Sequence, residues 1–215
     1  MIKLLGKELR LTASPLSFWF IAFGLMALIP GYPITVGAFF VCMGIFQSFQ
    51  SAREANDILY TAMLPVEKAD VVRAKFVFTV FIQLAALLIM LVLTVIRMNL
   101  LSSAAAYTAN AMMNANWAFI GYVLMVYAAF NFIFLRGFFK TAYKFGRPFI
   151  IFSIATFVIV SVGEALHFFP GLKALNSTVF ESIQLIPLFT GIAAYIGFTA
   201  VSLSKSIKSF EIIDL

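Results

Sequence analysis

Apolar positions in this chain come in long unbroken runs. They show neither the alternation of a half-buried strand nor the single stripe of a soluble helix. Six runs stand out, at 16–29, 34–49, 76–96, 117–135, 148–163 and 183–203. Continuous runs of this kind predict membrane-spanning helices, because a helix satisfies its own backbone in hydrocarbon. The same continuity argues against a transmembrane barrel, whose strands alternate. The third run, 21 residues, is full length. The first run reaches only about 21 Å at about 1.5 Å per residue, against a hydrocarbon core of about 30 Å. Pro30-Gly31-Tyr32-Pro33 breaks the chain sharply between the first two runs. These two runs therefore predict either a hairpin that thins the bilayer, or a pair that borrows flanking residues such as Ser14 to Pro30.

The polar segments between the runs set the topology. In 1–14, Lys3, Lys7, Arg10 and Ser14 share one helical stripe, while Ile2, Leu5, Leu9 and Thr12 follow another. This predicts an interfacial helix with its basic side toward anionic headgroups. Residues 51–75 form the one long polar segment carrying charges of both signs. A small-residue connection follows at 97–116, then a basic loop at 136–147, a mixed segment at 164–182 and a tail at 204–215. Thirteen of the fifteen Lys and Arg residues fall in 1–14, 51–75, 136–147 and the tail; Arg97 and Lys173 are the other two. Six spans in a single transmembrane domain over 1–215 put both termini on one side, and that asymmetry predicts the cytosol for both.

Composition narrows the function. The chain is 63% hydrophobic and 11% charged, with a mean hydropathy of +1.03, so it falls in the membrane class. The basic excess reads as a topology device and a contact with anionic lipid, not as a nucleic-acid footprint. No small-residue cleavage site follows the first run, so a cleavable signal peptide is not expected. Cys42 is the one cysteine and predicts a buried inert thiol. The six runs contain no Asp, Glu, Lys or Arg. Ion-coupled transport usually needs an intramembrane carboxylate or histidine, so it is disfavoured. Membrane enzymes lack their parts too: His167 is the one histidine, and neither HExxH nor GxSxG occurs. Glu54, Asp57, Glu67 and Asp70 alternate with Arg53, Lys68, Arg73 and Lys75, which predicts a solvated, ion-paired loop rather than a metal site. There is no GxxxxGK[ST], so the chain is expected to bind no cofactor; ATP and Mg²⁺ would sit on another subunit. Inside the spans, Gln83 and Asn131 are expected to hydrogen-bond across helices, worth around 1 kcal/mol each. Trp117 and Tyr122 are expected to anchor the fourth span at an interface.

The 51–75 segment reads as two helices about a break. Ser51 to Met63 continues the second run, Leu64-Pro65 is the hinge, and Pro65 suits the first turn of the next helix. Ile58, Leu59, Met63, Leu64 and Val66 give the bend an apolar surface with a charged rim. That surface suits a docking element, and equally a connector resting on headgroups.

The residues Asn56-Asp57-Ile58-Leu59, Met63-Leu64-Pro65-Val66 and Val71-Val72-Arg73-Ala74-Lys75 resemble the signature of ABC-2 type permeases between the second and third spans. The six-span layout with a basic interfacial helix is similar to that family over the whole chain. The resemblance implies an all-α, type V exporter-like fold in which this loop is a coupling helix docked on a separate ATP-binding subunit. Carried over to this chain, the docking residues are Arg53, Glu54, Asp57, Ile58, Leu59, Met63, Leu64, Pro65, Val66 and Glu67. It further implies a second permease subunit, as a homo- or heterodimer with a chamber between the two, in a bacterial cytoplasmic membrane. The small size resembles permeases that export phenol-soluble modulins and other amphipathic or antimicrobial peptides. The short first hairpin departs from the family's pattern and would make the chamber narrower or laterally open. The alternative expectation is an immunity or anchor protein that binds peptide in the bilayer and transports nothing.

Overall fold

The structure, a computed structural model, describes residues 6–8, 15–62, 65–141 and 144–213. Among these residues there is no strand. After helical residues at 6–8 comes the helix labelled α1, which starts at Pro15, where a missing N–H breaks no helical bond. It is α-helical over Pro15–Trp19 and continues as a 3-10 helix over Phe20–Leu28. The turn at 30–33 reverses the chain, with Gly31 at φ 73°. Then come α2 (Val36–Glu54) and the short α3 (Asp57–Ala62). The longest helix, α4, spans Lys68–Leu100. Next are α5 (Trp117–Thr141), α6 (Gly146–Leu166) and α7 (Leu185–Glu211), the last led in by a 3-10 turn at Ser182–Gln184.

Among the described residues, four helical stretches are long and apolar enough to cross a membrane: Lys68–Leu100, Trp117–Thr141, Gly146–Leu166 and Ser182–Glu211. Pro15–Leu28 is a shorter apolar helix. The chain is thus an all-helical multi-pass membrane protein.

Packing is organised around α5. Its side chains are buried along nearly the whole length, and it packs most extensively on α7. The two backbones meet at a pair of glycines. A Cβ on Gly121 would lie 2.2 Å from the Pro187 carbonyl oxygen, and one on Gly191 would lie 2.3 Å from the Gly121 oxygen. Only glycine permits that approach, the small-residue contact typical of helices in lipid. On the other side of α5, phenylalanines interlock. Phe46 stacks on Phe149 at 4.0 Å, and Phe49 meets Phe138 edge-on at 4.8 Å. Ser17 joins α1 to α2, donating to the Gly44 carbonyl and sharing a hydrogen bond with Ser48.

Several expectations change here. Tyr122 is 4% exposed and lies against Gly163 of α6, so it does not anchor α5 at an interface. The reason is that α5 is the most enclosed helix, covered by its neighbours where a belt residue would meet headgroups. Arg97 was expected to open the 97–116 connection. It instead lies in the last turn of α4, buried, donating to the Ala27 carbonyl at 2.6 Å and to Asn114 Oδ1 at 2.8 Å. The 204–215 tail is mostly helix, because α7 runs on to Glu211.

Candidate functional site

The loop segment is structured from both ends. α2 stops at Glu54, and Asn56 adopts φ 51°, the only positive φ outside glycine among the described residues. Asparagine tolerates that left-handed conformation where most residues do not. The chain therefore turns at Asn56 and starts α3 at Asp57, rather than running helical to Met63 as expected. Pro65 lies before α4, not in its first turn; Glu67 is the N-cap.

Asp57 is not a solvated loop charge. One of its oxygens meets Lys7 in a very short ion pair, and the other lies 3.3 Å from Lys75 Nζ. Lys75 also holds Glu8 Oε2 at 2.9 Å, and Lys7 lies 3.6 Å from Glu8 Oε1. Lys7 further donates to Thr61 Oγ1 at 2.6 Å, and that hydroxyl donates to the Asp57 carbonyl at 2.7 Å. The four charged side chains are between 2% and 14% exposed. Two cations and two anions cancel, which makes burial tolerable where a single charge would not be. Burial pushes the Asp57 carboxyl up, but Lys75 and Lys7 outweigh it and hold the group below the ordinary carboxylate range. The expected basic face of 1–14 is changed accordingly: Lys7 turns into the protein rather than toward headgroups, because Asp57 and Glu8 are there to pair with it. The rest of that predicted interfacial helix lies outside the described residues.

Around this cluster the helix ends are tied together. Lys68 donates to the Glu211 and Ile213 carbonyls at 3.3 and 2.6 Å, joining the start of α4 to the end of α7. Arg53 lies over the Phe145 ring at 4.9 Å, next to α6. Among the other expected docking residues, Glu54, Pro65, Val66 and Glu67 are exposed. Ile58 and Leu59 lie in α3, and Met63 and Leu64 fall outside the described residues. Tyr60, which the sequence reading passed over, is 64% exposed on the same short helix. Its signal was an aromatic ring in a polar segment, the residue type most often central to interfaces.

Inside the bundle, the expected Gln83–Asn131 pair is present and reciprocal, with bonds of 2.9 and 3.1 Å. Asn131 also donates to Thr199 at 2.9 Å, and Tyr195 donates to Gln83 at 3.0 Å. Ser202 donates to the Asn131 carbonyl, within a π-helical turn at Phe130–Leu135. These bonds join α4, α5 and α7 at one buried hub. Among the described residues, no group of three or more His, Cys, Asp or Glu converges as a metal site would require.

Long apolar helices, a buried polar hub and a charged segment locked across several helix ends define a multi-pass membrane protein whose loop is a built element, not a slack linker. The family described as ABC-2 family transporter protein matches residues 3–211, and the chain belongs to it. The resemblance read from the loop residues is thereby borne out for the family. Membership makes the chain a membrane permease component of an ABC transporter, a class that works with an ATP-binding partner subunit and is generally not itself catalytic. No curated protein and no solved structure matches the chain.

Proposed function

We propose that the chain is the permease subunit of an ATP-driven exporter, coupled to its ATP-binding subunit through the 51–75 segment. The observation that carries this reading is the placement of α3. It stands at the ends of α2 and α4, tied by Asp57 to Lys7 and Lys75, with Tyr60 and Val66 exposed beside it. A force on α3 passes through buried ion pairs into α4 and the N-terminal segment, not into a flexible chain. On this reading the segment faces the cytosol of a bacterial cell, both termini lie on that side, and α1 and α2 complete six spans. Two permease subunits enclose the chamber. The substrates are amphipathic peptides or other hydrophobic molecules.

Co-expression with an ABC ATP-binding subunit tests the docking. The two should co-purify, and Tyr60→Ala, Leu64→Asp and Val66→Asp should each lower the yield of complex and its stimulated ATPase at least fivefold. Wild-type assembly and ATPase in all three would remove the docking role. Uptake of an amphipathic helical peptide into inverted vesicles tests the substrate. Accumulation that requires ATP supports export, and peptide binding without ATP-dependent accumulation would favour an anchor or immunity protein instead.

A further inference from the structure

α5 and α7 run parallel and stop at the same end of the bundle. Gly121 meets Pro187, Asn131 meets Thr199 and Ser202, and the Phe139 ring meets that of Phe210 at 5.6 Å. On one side of this pair the two helices present matching stripes. Along α7, Phe198, Val201, Lys205 and Lys208 recur by three and four residues and share a face. Along α5, Phe132 stands one turn before Arg136, whose guanidinium lies over its ring at 5.4 Å, and Lys140 follows one turn later. The stripes meet where Phe132 contacts Phe198, with ring centroids 5.1 Å apart. Phe198 is 47% exposed and Val201 42%, so neighbouring helices leave this seam open.

The seam changes chemistry along its length. Its inner part is aromatic and aliphatic, and its end carries four cations. Lys140, Lys205 and Lys208 are exposed, and Arg136 is half-buried. None of the four takes part in an ion pair among the described residues. Glu211 is the one carboxylate on either helix, and no ion pair joins it to these lysines. Hydrocarbon wall below and unpaired positive charge at the rim complement a molecule with an apolar tail and an anionic head. Phe198 and Lys205 are seven residues apart, about 10 Å along the helix, so a head at the lysine sets its tail against the ring. A second copy of the chain is a poor occupant, because a two-fold contact here would set these cations against themselves.

We infer that this seam holds one anionic phospholipid. Its phosphate sits between Arg136 and Lys205, flanked by Lys140 and Lys208, and an acyl chain lies over Phe132, Phe198 and Val201. This differs from the general attraction of basic loops to an anionic surface, which depends on the number of charges and not on their place. The inference needs α5 and α7 to lie in a bilayer, not the coupling of the chain to an ATP-binding subunit, so either reading can fail alone.

The test titrates the full-length chain in neutral detergent micelles with phosphatidylglycerol and with phosphatidylcholine, and counts bound lipid by native mass spectrometry. Saturable binding of phosphatidylglycerol is expected, with at least a fivefold preference over phosphatidylcholine. The double variant Arg136→Gln, Lys205→Gln should weaken phosphatidylglycerol at least fivefold. Lys144→Gln, Arg147→Gln removes the same charge. Those residues stand on either side of Phe145 in the chain, whose ring packs on Phe46 of α2 at 5.4 Å. That double variant should stay within twofold of wild type. Inorganic phosphate at matched ionic strength should not displace the lipid. Equal losses in the two double variants would reduce the effect to net charge. That result, the absence of a preference in the wild type, or displacement by inorganic phosphate would each overturn the proposal.

Discussion

At the scale of single residues, the Lys7–Glu8–Asp57–Lys75 cluster separates charges that matter from charges that do not. Removing one partner of a buried pair strands the other, at a cost of about 3–5 kcal/mol. Lys75→Met should therefore lower the thermal stability of the purified protein by an amount of that order. Arg73 pairs with Asp70 at 2.8 Å but is 45% exposed, so Arg73→Ala should cost no more than about 1 kcal/mol. Equal losses in the two variants would show that the cluster is solvated. The depressed Asp57 carboxyl adds a pH dependence. Unfolded, the group takes its proton near pH 3.9; folded, it does so at lower pH. Its stabilisation is thus complete above about pH 4 to 5 and is lost as pH falls through the folded value. Melting curves of wild type and Asp57→Asn should converge on acidification through that window. Sequence reading missed this cluster for a physical reason. Opposite charges interleaved in a polar segment are explained equally well by water, and nothing local marks Asp57 for burial. The partner that buries it, Lys7, lies fifty residues earlier in a segment that reads as a surface helix. Gln83 and Asn131 were legible because hydrocarbon leaves an amide no solvent to choose.

At the scale of elements, helix contacts in lipid depend on close approach and a few polar bonds. A side chain at Gly121 or Gly191 would have to displace backbone on the facing helix. Gly121→Leu and Gly191→Leu should separate α5 from α7 and destabilise by at least about 1–3 kcal/mol; loss of a disulfide engineered across the crossing would report the separation. The Gln83–Asn131 coupling is expected at about 0.6 kcal/mol and no more than about 1.7 kcal/mol from a double-mutant cycle with Leu at both positions. A coupling near zero would mean that the hub merely fills space. The existence and order of the long helices were readable, because runs of hydrocarbon residues admit little else. Their ends were not. Asn56 turned the chain where a continuous helix was expected, and α4 absorbed residues 68–75 and Arg97. The ends are set by side-chain partners on other helices, which a window of local sequence does not contain.

At the scale of the whole molecule, the two ends of the bundle differ in how they are fastened. At the loop end, buried ion pairs join segments distant in sequence. At the opposite end, Arg97 holds Ala27 and Asn114, while Asn176 accepts the Asn114 N–H at 2.6 Å. Arg97→Ala should loosen that web without disturbing the Asp57 cluster. Hydrogen exchange should quicken around 110–116 and 173–177 and stay unchanged at 57–75.

The 3-10 winding of Phe20–Leu28 also has a consequence for thickness. Nine residues wound this way rise about 2.0 Å each instead of about 1.5 Å, so the segment gains about 4–5 Å of reach over an α-helix. α1 as a whole then extends about 25 Å, nearer to a hydrocarbon core than its fourteen residues would otherwise allow. A segment that can exchange one winding for the other changes its length without changing its residues. Such an exchange would let α1 follow thick and thin bilayers alike. Spin labels at Leu16 and Ile29 should lie about 4–5 Å closer in short-chain lipid than in long-chain lipid. An unchanged distance would mean that the bilayer, rather than the helix, does the adjusting.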